Sequence, residues 1–246
     1  MIGRSGNPTL NDKTFERAGQ FSDLDRMTIG GTVNKAFITL IILLASAFST
    51  WMMFFDGKNV VPFAIGGAVA GLIIAIILAF KPAISPYLVP IYALCEGFFL
   101  GAISATYETL YYGITLQAAL LTMGVFLALL LAYKTRIIKA TENFKLGVFA
   151  ATGGVALLYL LSIVLRWFGI QIPYLHDSTP IGIGISVVIV IIAALNLVLD
   201  FDFIENGAQN GAPKYMEWYG AFGLMVTLVW LYLELLRLIA KIWSRD

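Results

Sequence analysis

The sequence predicts an all-α polytopic membrane protein, a bundle of seven transmembrane helices behind a short polar amino-terminal tail. Three observations predict it. Of 246 residues, 59% are hydrophobic and only 13% charged, and the mean hydropathy is +0.86, whereas a water-facing surface needs more charge than this. The apolar residues gather in runs of about 20, the length a helix needs to cross the hydrocarbon. Between the runs lie mostly short loops, and irregular backbone facing lipid is excluded because its polar groups would go unpaired.

Residues 1–32 read as a tail, polar, with both charge signs and Gly, Asn and Pro punctuation; residues 33–246 carry the bundle. Spans follow at roughly 36–55, 60–80, 87–106, 114–133, 146–165, 181–203 and 218–239. In the first, LASA at 44–47 imitates a signal-peptidase site, but the apolar run continues through SAFSTWMMFF, so the segment is read as a retained span. FDGKN and KPAIS are too short for domains outside the membrane. No internal repeat of the kind seen in inverted-repeat transporters is visible. Arg4, Lys13, Arg17, Arg26, Lys35, Lys81, Lys134, Arg136, Lys139, Lys145 and Lys214 share the amino-terminal side, eleven of the 16 basic residues. The positive-inside rule therefore predicts a cytoplasmic amino terminus.

Composition also excludes function classes. The formal net charge is +1, which gives no polybasic surface for nucleic acid. Cys95 is the one cysteine and forms no intrachain disulfide or Cys-x-x-Cys motif. His176 is the one histidine, which removes multi-histidine metal sites and leaves a single base for a Ser-His dyad, in a polar loop. No cofactor and no catalytic step are expected.

The informative residues are the polar ones inside the spans, since a charged residue at mid-bilayer costs about 2.5–3.5 kcal/mol on insertion scales. In the third span Gly97 and Gly101, with Ala93 and Ser104, form a stripe of small residues, and Glu96 lies at its edge. A neighbouring helix drawn close along that stripe would bring Glu96 against protein. The seventh span carries Gly220, Gly223, Thr227 and Glu234 on one face, which is expected to look inward and leave Leu, Val and Met for lipid. Glu234 also precedes Arg237 by one turn, the spacing of a local ion pair. The sixth span closes with Asn196 and Asp200 four residues apart, then Asp202 and Glu205 near the boundary; Asp200, flanked by Leu199 and Phe201, is the acid that a solvated helix end explains least well.

These stretches resemble the Bax inhibitor-1 (transmembrane Bax inhibitor motif) family, and its bacterial branch in particular. The similarity is carried by NPTL at 7–10, CEGFFLGAIS in the third span, LNLVLDFDFIE closing the sixth and EWYGAFGLMVTLVWLYLELLRL in the seventh. The resemblance implies a seven-helix fold with a central last helix, residence in the bacterial cytoplasmic membrane, and a pH-sensitive Ca2+ leak governed by two paired aspartates in the last two helices. The first aspartate position falls on Asp200, with Asp202 one register away. Aligning LLRL at 235–238 puts Thr227 at the second.

Two functions follow. In the first the chain conducts cations, with Asp200 at one mouth, Glu96 at mid-depth and Glu234 on the far side; Asp200 and Glu96 are the candidate Ca2+ ligands, because hard cations prefer oxygen. Burial disfavours a charged carboxylate, so such a site can switch with pH. In the second the chain is a non-conducting regulator that docks on a membrane-anchored quality-control protease or another membrane protein.

Overall fold

The structure, a computed structural model, describes residues 26–169, 172 and 177–245. His176 and the NPTL stretch lie outside the described residues. The described residues form α1 (Ile29–Phe55), α2 (Val61–Phe80), α3 (Ser85–Leu110), α4 (Ile114–Lys134), α5 (Glu142–Trp167), α6 (Pro180–Gln209) and α7 (Met216–Trp243), with a 3-10 turn, Pro82–Ile84, before α3. All seven helices are long and apolar enough to cross a bilayer. The odd-numbered helices start on one face, called here the amino-terminal face.

Helix ends follow local chemistry. The hydroxyls of Thr28, Thr141 and Thr179 accept from the backbone N–H groups of Gly31, Phe144 and Gly182, capping α1, α5 and α6. Gly113 enters α4 at φ 86°, a left-handed conformation glycine adopts without strain. Glu108, still in α3, accepts from the N–H groups of Gly113 at 2.6 Å and Thr115 at 3.1 Å, so the first turn of α4 is satisfied by the preceding helix.

The first helix begins earlier than the sequence predicts. The expected tail boundary at residue 32 falls inside α1, because Thr28 caps a first turn that contains Gly30 and Gly31. Two glycines read as punctuation, but here Gly31 is a packing requirement: a Cβ at that position would overlap the Glu217 carboxylate. With 30 residues, α6 is about 45 Å long, well beyond the 30 Å hydrocarbon, so its last turns reach the headgroup region.

Helix α7 is the axis, packed against α1, α3, α4 and α6, while α5 packs on α6 at the periphery. The seventh span was expected to turn only its glycine and threonine face inward. Instead Met225, Leu231, Leu235 and Leu236, from around the helix, are also buried, so its Leu and Met residues meet protein where lipid was expected. One side of α7, through Tyr219, Phe222 and Met225, meets a core that includes Leu43, Tyr92 and Phe203. The other, through Leu224, Leu228 and Leu231, meets Tyr133, Leu197 and Phe201. Large exposed side chains such as Phe37, Leu72, Leu120 and Leu157 form the outer surface that lipid covers.

The small-residue stripe of α3 behaves as expected. A Cβ at Gly97 would overlap Ser46 and the Leu43 carbonyl, and one at Gly101 would overlap the Ala47 carbonyl, so α1 lies directly on α3. In lipid, where apolar surface has no better solvent than protein, such close backbone contact supplies much of the association energy. Gly220 likewise leaves room for Thr32 and Ile204, each 3.2 Å from a built Cβ.

Gly101→Leu should destabilise the protein by about 1–3 kcal/mol, the usual cost of overpacking, read as a fall in thermal midpoint in detergent, whereas Gly124→Leu, at a position with nothing within 4 Å of a built Cβ, should change it little. In a Cys95→Ser background, cysteines at Lys139 and Tyr112, both exposed, should react with an impermeant thiol reagent from opposite sides of the membrane. Labelling of both from one side would break the seven-span order.

Candidate functional site

Asp200 sits on the inner side of α6, about 13 Å from the end of that helix on the amino-terminal face. It is 5% exposed, and its Oδ2 has no hydrogen-bond partner among the described residues. Its Oδ1 lies 3.9 Å from where a Cβ of Gly223 would stand, so the carboxyl is pressed towards bare α7 backbone. The Thr227 hydroxyl neighbours this carboxyl and also reaches the Gly223 carbonyl at 3.3 Å. Buried polar atoms are ordinarily paired, because an unpaired one forfeits its hydration. No salt bridge involves Asp200 among the described residues.

The neighbouring acids are arranged differently. Asp202 is held by the Lys145 ammonium at 2.7 Å and accepts from Asn206 at 2.8 Å. Glu205 accepts from the Tyr133 hydroxyl and pairs with Arg136 at 2.8 Å. Tyr133 also reaches Asp202 at 3.4 Å, which ties α4, α5 and α6 into one network at the amino-terminal face.

Across α7 a second network surrounds Glu217, whose side chain is fully buried. It accepts from the Thr28 backbone N–H and hydroxyl, both at 2.9 Å, and pairs with Lys35 and, at 3.0 Å, with Lys214. Met27 N–H donates to the Ala212 carbonyl at 2.6 Å beside it, and Lys35 stands 5.9 Å from the centre of the Trp218 ring. The start of α1 is thereby tied to the turn between α6 and α7.

The remaining residues separate. Glu234, 2% exposed, is paired with Arg237 at 3.1 Å, accepts from the Tyr159 hydroxyl at 2.8 Å and lies 3.3 Å from the Trp230 indole nitrogen. The local ion pair that its spacing suggests is present. Glu96 is half-buried; it accepts a hydrogen bond from Tyr92, one turn earlier, at 3.1 Å, and it faces Gly71 of α2. Asn196, expected on the face of Asp200, turns its amide to Thr152 of α5 at 2.8 Å. Four helical residues advance about 400°, so the two side chains differ by about 40° and meet different neighbours. Gly223 makes only ordinary contacts, unlike Gly97, Gly101 and Gly220.

Of the acids singled out in the sequence, Asp202, Glu205 and Glu234 have cationic partners, and Asp200 and Glu96 have none among the described residues. Glu217 and Tyr133 were not singled out in the sequence, and Lys145 entered it only as one of the topological charges. An acid in the first turn of a helix, as Glu217 is, favours the helix dipole and draws little notice.

Seven helices long and apolar enough to cross a membrane, the last of them central and faced by an acid of the sixth, make this a polytopic membrane protein. The family model described as Bax inhibitor 1 like matches residues 7–244, and the chain belongs to that family. No curated protein and no solved structure matches it.

Glu217→Ala should lower stability by about 1–3 kcal/mol, the cost of leaving its donors without an acceptor, with the smaller end expected because Lys214 is half exposed and can rehydrate. Glu217→Gln should retain part of the loss, since the amide oxygen still accepts from Thr28. Denaturant titration in mild detergent measures both.

Proposed function

We propose that the chain is a cation leak, passing Ca2+ along a path that includes Asp200, in a bacterial cytoplasmic membrane with its amino terminus inside. The observation that carries this reading is the unpartnered Oδ2 of Asp200 on the inner face of α6. An oxygen kept dry and without a donor is free to accept a cation in transit. A resident Ca2+ wants six to eight oxygens; in this reading the ion is cargo that passes Asp200 in transit.

The partners of the other acids assign them parts in the same scheme. Asp202 and Glu205, tied to Lys145 and Arg136, form a charged rim on the Asp200 side. Glu234 is held by Arg237 and Tyr159, which fits an anchor for α5 and α7 better than a station for an ion. Glu96, near the middle of α3, accepts from Tyr92 through Oε1 and is a second acid able to offer an oxygen among the described residues. Thr227 gives Asp200 a hydroxyl neighbour where a second carboxylate would form a coupled pair, so one group, not two, titrates.

The sign of the pH response follows. Ionised, Asp200 attracts a cation; protonated, it is neutral and does not. Ca2+ flux into dye-loaded proteoliposomes should therefore rise with pH through a single shallow transition. Asp200→Asn should flatten that curve while the protein stays folded, and Asp202→Asn should alter it less because Lys145 neutralises that acid. Thr227→Asp should split the curve into two steps spread over a wider pH range, because two coupled carboxyls lose their protons in separate stages. A wild-type protein with no flux at any pH favours instead a non-conducting regulator docked on a membrane protease or another membrane protein.

A further inference from the structure

A cavity of about 590 Å³ lies between α1 and α4, two helices that share no packed seam, with α3 and α7 as its floor. Along α1 its wall runs from Leu40 to Trp51, about 16 Å. The hydrocarbon core is about 30 Å thick, so the tails of one leaflet span about 15 Å. The groove therefore extends over one leaflet, that on the side opposite the amino-terminal face.

Its lining offers water nothing. Four hydroxyl-bearing side chains border it, and their hydrogen bonds stay within the protein: Ser104 and Tyr232 bond each other at 2.6 Å, Thr115 donates to the Ser104 carbonyl at 3.2 Å and Thr122 to the Ala118 carbonyl at 2.7 Å. A buried water needs two to four polar partners. The rim, by contrast, opens to the bilayer, since Leu44, Phe48 and Leu120 are each more than half exposed. A membrane-spanning helix about 30 Å long and 10 Å across fills about 2,400 Å³, far more than the cavity holds. A single flexible hydrocarbon chain has the right length, bulk and polarity.

We propose that this groove is a binding site for one acyl chain of a phospholipid from the leaflet opposite the amino-terminal face. The chain enters between Leu44 and Leu120 and rests on Leu228, Val229 and Tyr232 of α7. Leu228 and Val229 keep a small accessible face and Tyr232 is partly buried, and all three line the groove, so a chain lying in it reaches them from inside the bundle.

The test uses the full-length protein in vesicles of phosphatidylethanolamine and phosphatidylglycerol containing a phospholipid with a mid-chain diazirine, followed by mass-spectrometric mapping of the adducts. Expected are adducts on Leu228, Val229 or Tyr232, lost in Ala119→Trp, which fills the groove from α4, and kept in Ala45→Trp, which places the same bulk on the lipid-facing side of α1 outside it. If Ala119→Trp does not fold, Ala119→Leu serves as a smaller plug. Adducts confined to rim and outer residues in the wild type, or floor adducts that survive the plug, overturn the proposal.

Discussion

Everything in this bundle depends on one constraint: inside hydrocarbon a polar group finds a partner in the chain or goes without. Water is not there to hydrate a stray carboxylate, and lipid tails offer no donors. The buried and half-buried acids show how the constraint is met. Glu217 has the Thr28 N–H and hydroxyl and two lysines. Glu234 has an arginine and a tyrosine. Asp202 and Glu205 have Lys145, Arg136 and Tyr133. Against that background the bare oxygen of Asp200 is the exception, and buried exceptions are where function is sought.

The same constraint explains why α7 is central. A helix carrying Glu217, Thr227 and Glu234 cannot face lipid at those positions, so other helices surround it, and its apolar residues become core by proximity. The glycines make the enclosure tight. Gly31 admits the Glu217 carboxylate, Gly220 admits Thr32, and Gly97 and Gly101 let α1 rest on α3. Helix α1 therefore contacts the axis through charge at its start and the bundle through bare backbone further along.

Much of this was legible in the sequence, and the limits have physical causes. Run lengths fix the number of spans, and an acid between Leu199 and Phe201 stands out because charge is costly there. The complete burial of α7 was not legible, since Leu and Met serve equally well against protein and against lipid. The network of Glu217 was hidden because its partners Thr28 and Lys35 are 189 and 182 residues away and the adjoining Gly30–Gly31 pair looks like a loop. Asn196 and Asp200 appeared to share a face, yet their 40° offset is enough to send one to Thr152 and the other to α7. The family resemblance is upheld over residues 7–244, and Thr227 does stand beside Asp200, as the alignment of LLRL implied.

The most direct test of the central claim is infrared difference spectroscopy on the protein in lipid, following the carbonyl stretch of a protonated carboxyl as pH is varied with and without Ca2+. The account predicts a buried carboxyl band that fades as pH rises, fades at lower pH when Ca2+ is present, and is missing in Asp200→Asn while surviving in Glu234→Gln. A band unchanged in Asp200→Asn, or one indifferent to Ca2+, would contradict the assignment of Asp200 as the group that meets the cation.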